Sequence, residues 1–296
     1  MIRKAVVPMA GLGTRFFPAS HACKKELFPI VGRDGIARAL VHYHLIELEA
    51  AGIEEICLIV QPGDAAGVRV YLEGPEPSYL ARLAGHSVLA HEAGEMRRLV
   101  RRVRFVEQQT QEGYGHAVFQ TREFAGGEPV LLCLGDHLFR GARVSPYRAL
   151  ADVGASAHGR SVSAVNRITA GELKGYGTIA GTRRADDPRL IDVSLIIEKP
   201  DEATARAKLH VSDLPPDVWL GWLGMHVLGP GIYDVLAQMI RDDVRDWGEF
   251  QLTRAQELQR QREGYLAVEL DDLERFDFGT PDDFLASAVR FRGAQA

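Results

Sequence analysis

The chain has 296 residues, 46% of them hydrophobic and 25% charged, with a formal net charge of −5. That is enough chain for one large or two ordinary globular domains, and the composition excludes a disordered or fibrous polypeptide. The acidic balance gives no bulk electrostatic drive toward nucleic acid. The longest apolar runs, such as Val130 to Leu134, fall far short of the about 20 residues needed to cross a bilayer, so no membrane partner is expected. The opening Met1-Ile2-Arg3-Lys4 stretch reads as the start of a cytoplasmic protein rather than a signal peptide.

Arg3 to Met9 is an apolar, β-branched run ending in glycines, the pattern of a first strand. Gly35 to Ala51 carries apolar residues at helical spacing and closes on Gly52. Ile53 to Val60 follows as a second strand, then helical segments at Ala65 to Leu72 and Glu95 to Arg102. Arg102 to Glu107 alternates as a strand, Gly115 to Phe124 is a helix, and Pro129 to Leu134 is a buried strand. This alternation predicts an α/β fold with a doubly wound, mostly parallel central sheet. Beyond about residue 160, short strands at Ser161 to Asn166, Tyr176 to Gly181, Leu190 to Ile197 and Trp219 to Leu228 predict a smaller antiparallel part. Helices at Gly231 to Ile240 and Glu249 to Arg262, a strand at Tyr265 to Leu270 and a helix at Pro281 to Arg292 complete the chain. No repeat or flexible linker divides it, so a single domain over 1–296 is expected.

The three cysteines, Cys23, Cys57 and Cys133, lie far apart and form no metal-binding spacing. Cys57 and Cys133 sit within apolar runs and read as core residues. The basic stretch Arg97 to Arg102 reads as a solvated helix face. Lysine occurs six times against 29 arginines, so each lysine is informative, because ammonium and guanidinium are not interchangeable at a tight phosphate site.

Chemistry concentrates first in Ala10-Gly11-Leu12-Gly13-Thr14-Arg15, directly after the first strand. A glycine-rich turn there lets backbone N–H groups approach phosphate oxygens. It is neither a dinucleotide fingerprint, since residue 16 is Phe16, nor a Walker A loop. Taken alone, the two glycines equally suit a tight turn. Lys24-Lys25-Glu26-Leu27-Phe28-Pro29 lies on the same connection, and Leu132-Cys133-Leu134-Gly135-Asp136 is a buried strand ending in a carboxylate at the edge where such sheets bind ligands.

Together, the Gly-x-Gly-Thr-Arg loop and the Lys-Glu-x-x-Pro stretch resemble the signature of the sugar-nucleotide pyrophosphorylases. Lys25 matches the signature lysine, and Lys24 stands where that family usually has proline. The likeness continues through Gln108 to Val118, which is similar to the base-reading stretch of the bacterial UTP–glucose-1-phosphate uridylyltransferases, and through Tyr176-Gly177, Glu198-Lys199-Pro200, Gly248 to Thr253 and Phe276-Asp277-Phe278-Gly279-Thr280. It spans roughly residues 4 to 285.

The resemblance implies transfer of a uridylyl group from UTP to a sugar 1-phosphate. Residues 1–160 would be the nucleotide-binding half and 161–296 the sugar-binding and C-terminal half. It implies catalytic roles for Arg15, Lys25, Asp136 and Lys199, and nucleotide contacts from Ala10, Gly11, Gly13, Thr14, Gln108 and Gly113. It gives the sugar to Gly177, Glu198 and Lys199, and a Mg²⁺ ion to Asp136 and Asp277. A homo-oligomer, dimer or tetramer, and small-molecule partners without nucleic acid are the further expectations. Departures at Glu112 and at Gly224-Met225-His226 leave the sugar open. The same chemistry with dTTP or another sugar, and a catalytically silent binding module, remain alternatives. Glu249 is expected at the positive end of a helix.

Overall fold

The computed structural model describes residues 1–82 and 85–293. In chain order the strands are β1 (Lys4–Pro8), β2 (Pro29–Val31), β3 (Ala37–Ala39), β4 (Glu55–Val60), β5 (Val103–Glu107), β6 (Val130–Cys133), β7 (His137–Gly141), β8 (Val162–Thr169), β9 (Gly177–Arg183), β10 (Leu190–Glu198), β11 (Val218–Leu228), β12 (Leu266–Glu269) and β13 (Leu273–Asp277). The α-helices are α1 (Ala19–Ala22), α2 (Leu40–Ala50), α3 (Asp64–Glu73), α4 (Pro77–Arg82), α5 (Ser87–Val100), α6 (Tyr114–Phe119), α7 (Arg122–Ala125), α8 (Pro146–Ala155), α9 (Glu202–Lys208), α10 (Gly231–Arg241), α11 (Leu252–Glu263) and α12 (Pro281–Arg292).

Nine strands form one sheet in the order β5-β4-β1-β6-β11-β8-β12-β10-β9. β1, β4 and β6 are apolar along their length because helices cover both faces of a parallel sheet, leaving no solvated side to alternate toward. Ala5, Val6 and Val7 are fully buried, and each of the two valines contributes about 1.5–3 kcal/mol. The parallel block ends at β6. β11 runs antiparallel to β6 and to β8, and β10 runs antiparallel to β12 and β9, so the sheet as a whole is mixed. The antiparallel part expected in the second half is therefore a continuation of the same sheet, with one parallel pair, β12 with β8, inside it.

Two ribbons stand outside the sheet. β2 pairs with β3, so the helix expected from Gly35 starts only at Leu40; Ile30 and Arg38 are opposite each other in that hairpin. β13 pairs with β7 in a register that sets Asp277 against His137. The helix expected over Gly115 to Phe124 is two short ones, broken at Gln120 and Thr121. α11 begins at Leu252 with Gln251 at its N-cap, so Glu249 lies in the preceding turn rather than in the helix; its carboxylate accepts a hydrogen bond from the Gln251 amide (2.9 Å). The basic stretch is locally neutralised, Arg98 pairing with Glu49 and Glu95, and Arg102 with Glu49 at 3.0 Å. Among the described residues no helix is long and apolar enough to cross a membrane.

The sheet positions function through its edge. β1 and β6 are neighbours, Val6 opposite Leu132, so the loop after β1 and the turn after β6 leave the sheet side by side. Gly135 makes that approach possible: a Cβ there would lie 2.5 Å from the Pro8 carbonyl oxygen. His44 on α2 braces the same turn, its Nε2 3.2 Å from the Gly135 oxygen.

Burial keeps three histidines neutral, lowering His42 and His44 to about 4 and His226 to about 3. The unfolded chain takes up their protons near pH 6.5 and the folded one does not. Their contribution to stability is therefore complete above pH 6.5 and is lost as the pH falls toward 3. Urea unfolding at a series of pH values should show stability falling in that window. His226→Gln should remove up to one proton from the slope, about 1.4 kcal/mol per pH unit.

Candidate active site

Four parallel strands deliver polar groups to one edge. β1 leads into Gly11 to Arg15, β4 into Gln61, β5 into Gln108, and β6 into Asp136. Gly13 has φ +66° and starts the single turn Thr14–Phe16, which folds the loop back over the edge. The Gly11 carbonyl accepts hydrogen bonds from Gln61 Nε2 (2.8 Å) and Lys24 Nζ (2.9 Å), and Lys24 is also paired with Asp64 at 2.9 Å. Lys24 thus ties the loop down from the position where the signature has proline. A cleft of 550 Å³ opens on this side, lined by Gly13, Thr14, Ser20, His21, Lys24 and Lys25.

Lys25 Nζ lies 2.7 Å from Asp136 Oδ2. Burial alone would raise the Asp136 carboxyl, but His137 and Lys25 outweigh it and hold it below its usual value. The β7–β13 ribbon brings Asp277 beside it. A Cβ on Gly279 would stand 3.0 Å from Asp277 Oδ1, 3.4 Å from Asp136 Oδ2 and 3.8 Å from Arg15 Nη1. Burial again works against ionisation of Asp277, and hydrogen bonding from His137, the Gly279 N–H and the charge of Arg275 overcome it, so the carboxyl sits well below its usual value. Two ionised carboxylates bordering one space are a donor set that fits a hard divalent cation, with phosphate and water oxygens needed to complete its shell. Among the described residues no group of three or more His, Cys, Asp or Glu side chains could hold a metal unaided.

Gln108 is buried at the end of β5, its side-chain amide donating to the Gly113 carbonyl (3.1 Å). Gly113 has φ +107°, and a Cβ there would lie 2.7 Å from Glu249 Cβ and 3.0 Å from the Phe250 backbone. Backbone bonds from Phe250 N to Glu112 O (2.9 Å) and from Gly115 N to Phe250 O (2.7 Å) clamp this stretch against the segment before α11. Ala10, Gly11, Thr14, Gln108, Gly113 and Tyr114 line a cleft of 360 Å³.

Tyr114 also lines a third pocket, of 200 Å³, with Gly177, Glu198, Lys199 and Trp222. Gly177 and Glu198 are direct partners in the β9–β10 ladder. Glu198 accepts a hydrogen bond from Thr253 (2.7 Å), and Lys199 Nζ lies 3.6 Å from its other oxygen. Lys199 has φ +45°, a left-handed backbone uncommon for a residue with a side chain and concentrated at functional sites. A larger cleft of 630 Å³ beyond Glu198 and Thr253 contains no other expected site residue.

Ten of the thirteen site residues expected from the sequence therefore border three clefts that share lining residues; Arg15, Asp136 and Asp277 line none of the three and come together beside Gly279. The sequence reading missed His137 and Arg275, which flank the two aspartates in the ribbon. It also missed Glu26, buried beside Lys25 with its carboxyl pushed up to about 7 by burial. An acid between a lysine pair and Leu27-Phe28 was the available signal for Glu26; the ribbon register was not visible from either strand alone.

A mixed nine-stranded sheet with a glycine-rich loop, two converging carboxylates and lysines on either side defines a nucleotide-binding α/β protein built for phosphate chemistry. The family model described as nucleotidyl transferase matches residues 4–292, and the chain belongs to that family. It is 29% identical over 290 residues to UTP–glucose-1-phosphate uridylyltransferase 1 of Staphylococcus saprophyticus, covering 98% of this chain and 92% of that protein. It is likewise 29% identical to the UTP–glucose-1-phosphate uridylyltransferase of Bacillus subtilis, over 98% of this chain and 91% of that one. Among solved structures, an apo UDP-glucose pyrophosphorylase superposes with a TM-score of 0.82 at 22% identity, covering 99% of both chains. A UTP-bound enzyme from Acinetobacter baumannii superposes with a TM-score of 0.78 at 24% identity, over 98% of this chain and 93% of that one. These superpositions show the shared fold.

The two loop glycines meet different demands. Gly11 has nothing within 4 Å of a would-be Cβ, whereas Gly113 has both a positive φ and a backbone in the way. Gly113→Ala should lower the urea midpoint by the equivalent of about 1–3 kcal/mol, while Gly11→Ala should leave it unchanged and weaken only ligand binding.

Proposed function

We propose that the protein transfers a uridylyl group from UTP to a sugar 1-phosphate, with glucose 1-phosphate as the acceptor, releasing pyrophosphate and a UDP-sugar. The observation that carries this reading is the convergence of the glycine-rich loop, the Gln108–Gly113 stretch and the Glu198-Lys199 pair on connected clefts. The relatives named above, uridylyltransferases over nearly the whole chain, support the choice of substrates.

The sugar phosphate's oxygen attacks the α-phosphorus of UTP in line with the departing pyrophosphate, so the protein supplies position and charge rather than a nucleophile. Ala10, Gly11, Gly13 and Thr14 hold the triphosphate along their backbone, and Arg15 and Lys25 offset its charge. Gln108 reads the uracil edge, where an amide can both donate and accept, and Gly113 lets the backbone approach the ring. Gly177 and Glu198 hold sugar hydroxyls, and Lys199 holds the sugar's phosphate. Bound Mg²⁺, held by Asp136 and Asp277, would neutralise the triphosphate. The problem solved is repulsion between two polyanions, which accounts for scarce lysines concentrated at the clefts of an acidic protein. The expectation of a homo-oligomer rests on the family likeness.

A panel of nucleoside triphosphates against several sugar 1-phosphates, read by pyrophosphate release, tests the reading. UTP with glucose 1-phosphate should be fastest, with dTTP slower by at least about 10–200-fold, the discrimination its extra methyl group alone allows, to which its missing 2′-hydroxyl adds; ATP or GTP as the best donor would refute it. Asp136→Asn should lower turnover at least about a hundredfold, and an unchanged rate at limiting Mg²⁺ would remove the cation from Asp136.

The two lysines separate the substrates. Lys199→Ala should raise the KM for sugar 1-phosphate by about one to two decades and leave the Kd for UTP unaltered, whereas Lys25→Ala should weaken UTP and pyrophosphate handling by a similar factor. Calorimetric titration of UTP with Mg²⁺ into each variant checks this without turnover. Loss of UTP binding in Lys199→Ala alone would reverse the assignment.

A further inference from the structure

Trp222 is 7% exposed, yet its indole nitrogen has no hydrogen-bond partner. Buried N–H groups are nearly always paired, so an orphan on a cavity wall signals a missing acceptor. Trp222 lines the 200 Å³ pocket, and three more buried, unpartnered atoms belong to residues of that lining: Tyr114 OH, His137 Nδ1 and Arg275 Nε. The pocket is therefore built for a polar occupant with room for a single sugar ring.

The packing over Gly177 locates the partner. A Cβ there would stand 2.4 Å from Trp222 Cδ1, 2.8 Å from Trp222 Nε1 and 2.9 Å from Glu198 Oε2. The indole edge thus lies on Gly177 beside Glu198, and the donor and the carboxylate oxygen are near enough for a single hydroxyl at the pocket to reach both. Glu198 Oε2 already accepts from Thr253 Oγ1 (2.7 Å), and a carboxylate oxygen has capacity for a second bond. The indole itself is fixed by packing against Ile179, Leu220 and Tyr265, so its N–H is aimed rather than mobile.

We infer that Trp222 is a specificity-determining residue: its indole N–H donates to one hydroxyl of the sugar, and that hydroxyl donates to Glu198. This rests on the sugar 1-phosphate reading above and narrows it to sugars that carry a free hydroxyl at the position facing this pair. A sugar lacking the hydroxyl leaves both buried groups unpaired, the situation in which polar sites discriminate most strongly.

The chain has three tryptophans, Trp219, Trp222 and Trp247, hence three indole N–H resonances in the ¹⁵N-labelled full-length protein. The resonance missing in Trp222→Phe should shift when UDP-glucose is added to the wild type and stay in place with UDP. No difference between the two ligands overturns the inference. In kinetics, Trp222→Phe should raise the KM for glucose 1-phosphate by about tenfold to a hundredfold, with the KM for UTP within about twofold of wild type. Against the set of monodeoxy glucose 1-phosphates, wild type should reject one member sharply and Trp222→Phe should have lost that discrimination. Equal discrimination by both proteins overturns the role of Trp222 while leaving the reaction intact. A wild-type protein that uses no sugar 1-phosphate at all overturns the reaction, and this inference with it. The resonance shift is itself read on wild-type protein, where the variant serves only to assign the peak.

Discussion

Everything at the site depends on how closely the chain after β6 passes the end of β1. Gly135 lies against the Pro8 carbonyl with no room for a side chain, and only that approach sets Asp136 beside the connection that carries Lys25. The contact is steric, yet its effect is electrostatic. It brings an acid from residue 136 and an ammonium from residue 25 to 2.7 Å, over a loop whose backbone N–H groups are free to meet an anion. His44 beneath the turn and the β7–β13 ribbon above it are supports for the same approach.

The charges then follow a consistent logic. Each carboxylate at the centre is partly buried, which disfavours its ionised form, and each is held below its usual value by its neighbours: His137 and Lys25 for Asp136, His137, the Gly279 N–H and Arg275 for Asp277. Glu26, with no comparable set of donors, is pushed in the opposite direction. Carboxyl groups brought to one edge of the sheet from distant parts of the chain thus shift in opposite directions because of what surrounds them, and the two lowered are those that share the space beside Gly279.

Much of this was legible in the sequence, for physical reasons that differ by element. β1, β4 and β6 announce themselves because strands buried on both faces are continuous apolar runs. The glycine-rich loop stands out as two glycines directly after a strand, and the Glu198-Lys199 pair through the scarcity of lysine and the family likeness. The β7–β13 ribbon was not legible: His137–Gly141 and Leu273–Asp277 are short, mix charge with apolar residues, and acquire their meaning only from a pairing across more than a hundred residues. α8 escaped notice although Pro146 at its start and buried Tyr147, Leu150, Ala151 and Gly154 follow helical spacing. Trp222 read as one more apolar position in β11, since nothing in a sequence marks an indole nitrogen that lacks a partner.

The clamp between Gly113–Gly115 and Phe250 has a wider consequence. Phe250 is bonded on both sides to the stretch that carries Gln108's partner, and Thr253, at the start of the helix that follows, holds Glu198. On the function proposed above, the group facing the base and the group facing the sugar are then ends of one mechanical unit that runs from Phe250 to Thr253. Substrate ranges in such an arrangement do not evolve independently. A change that re-aims one end moves the other, so a chain of this kind drifts between donor–acceptor pairs as matched sets rather than exchanging one partner at a time.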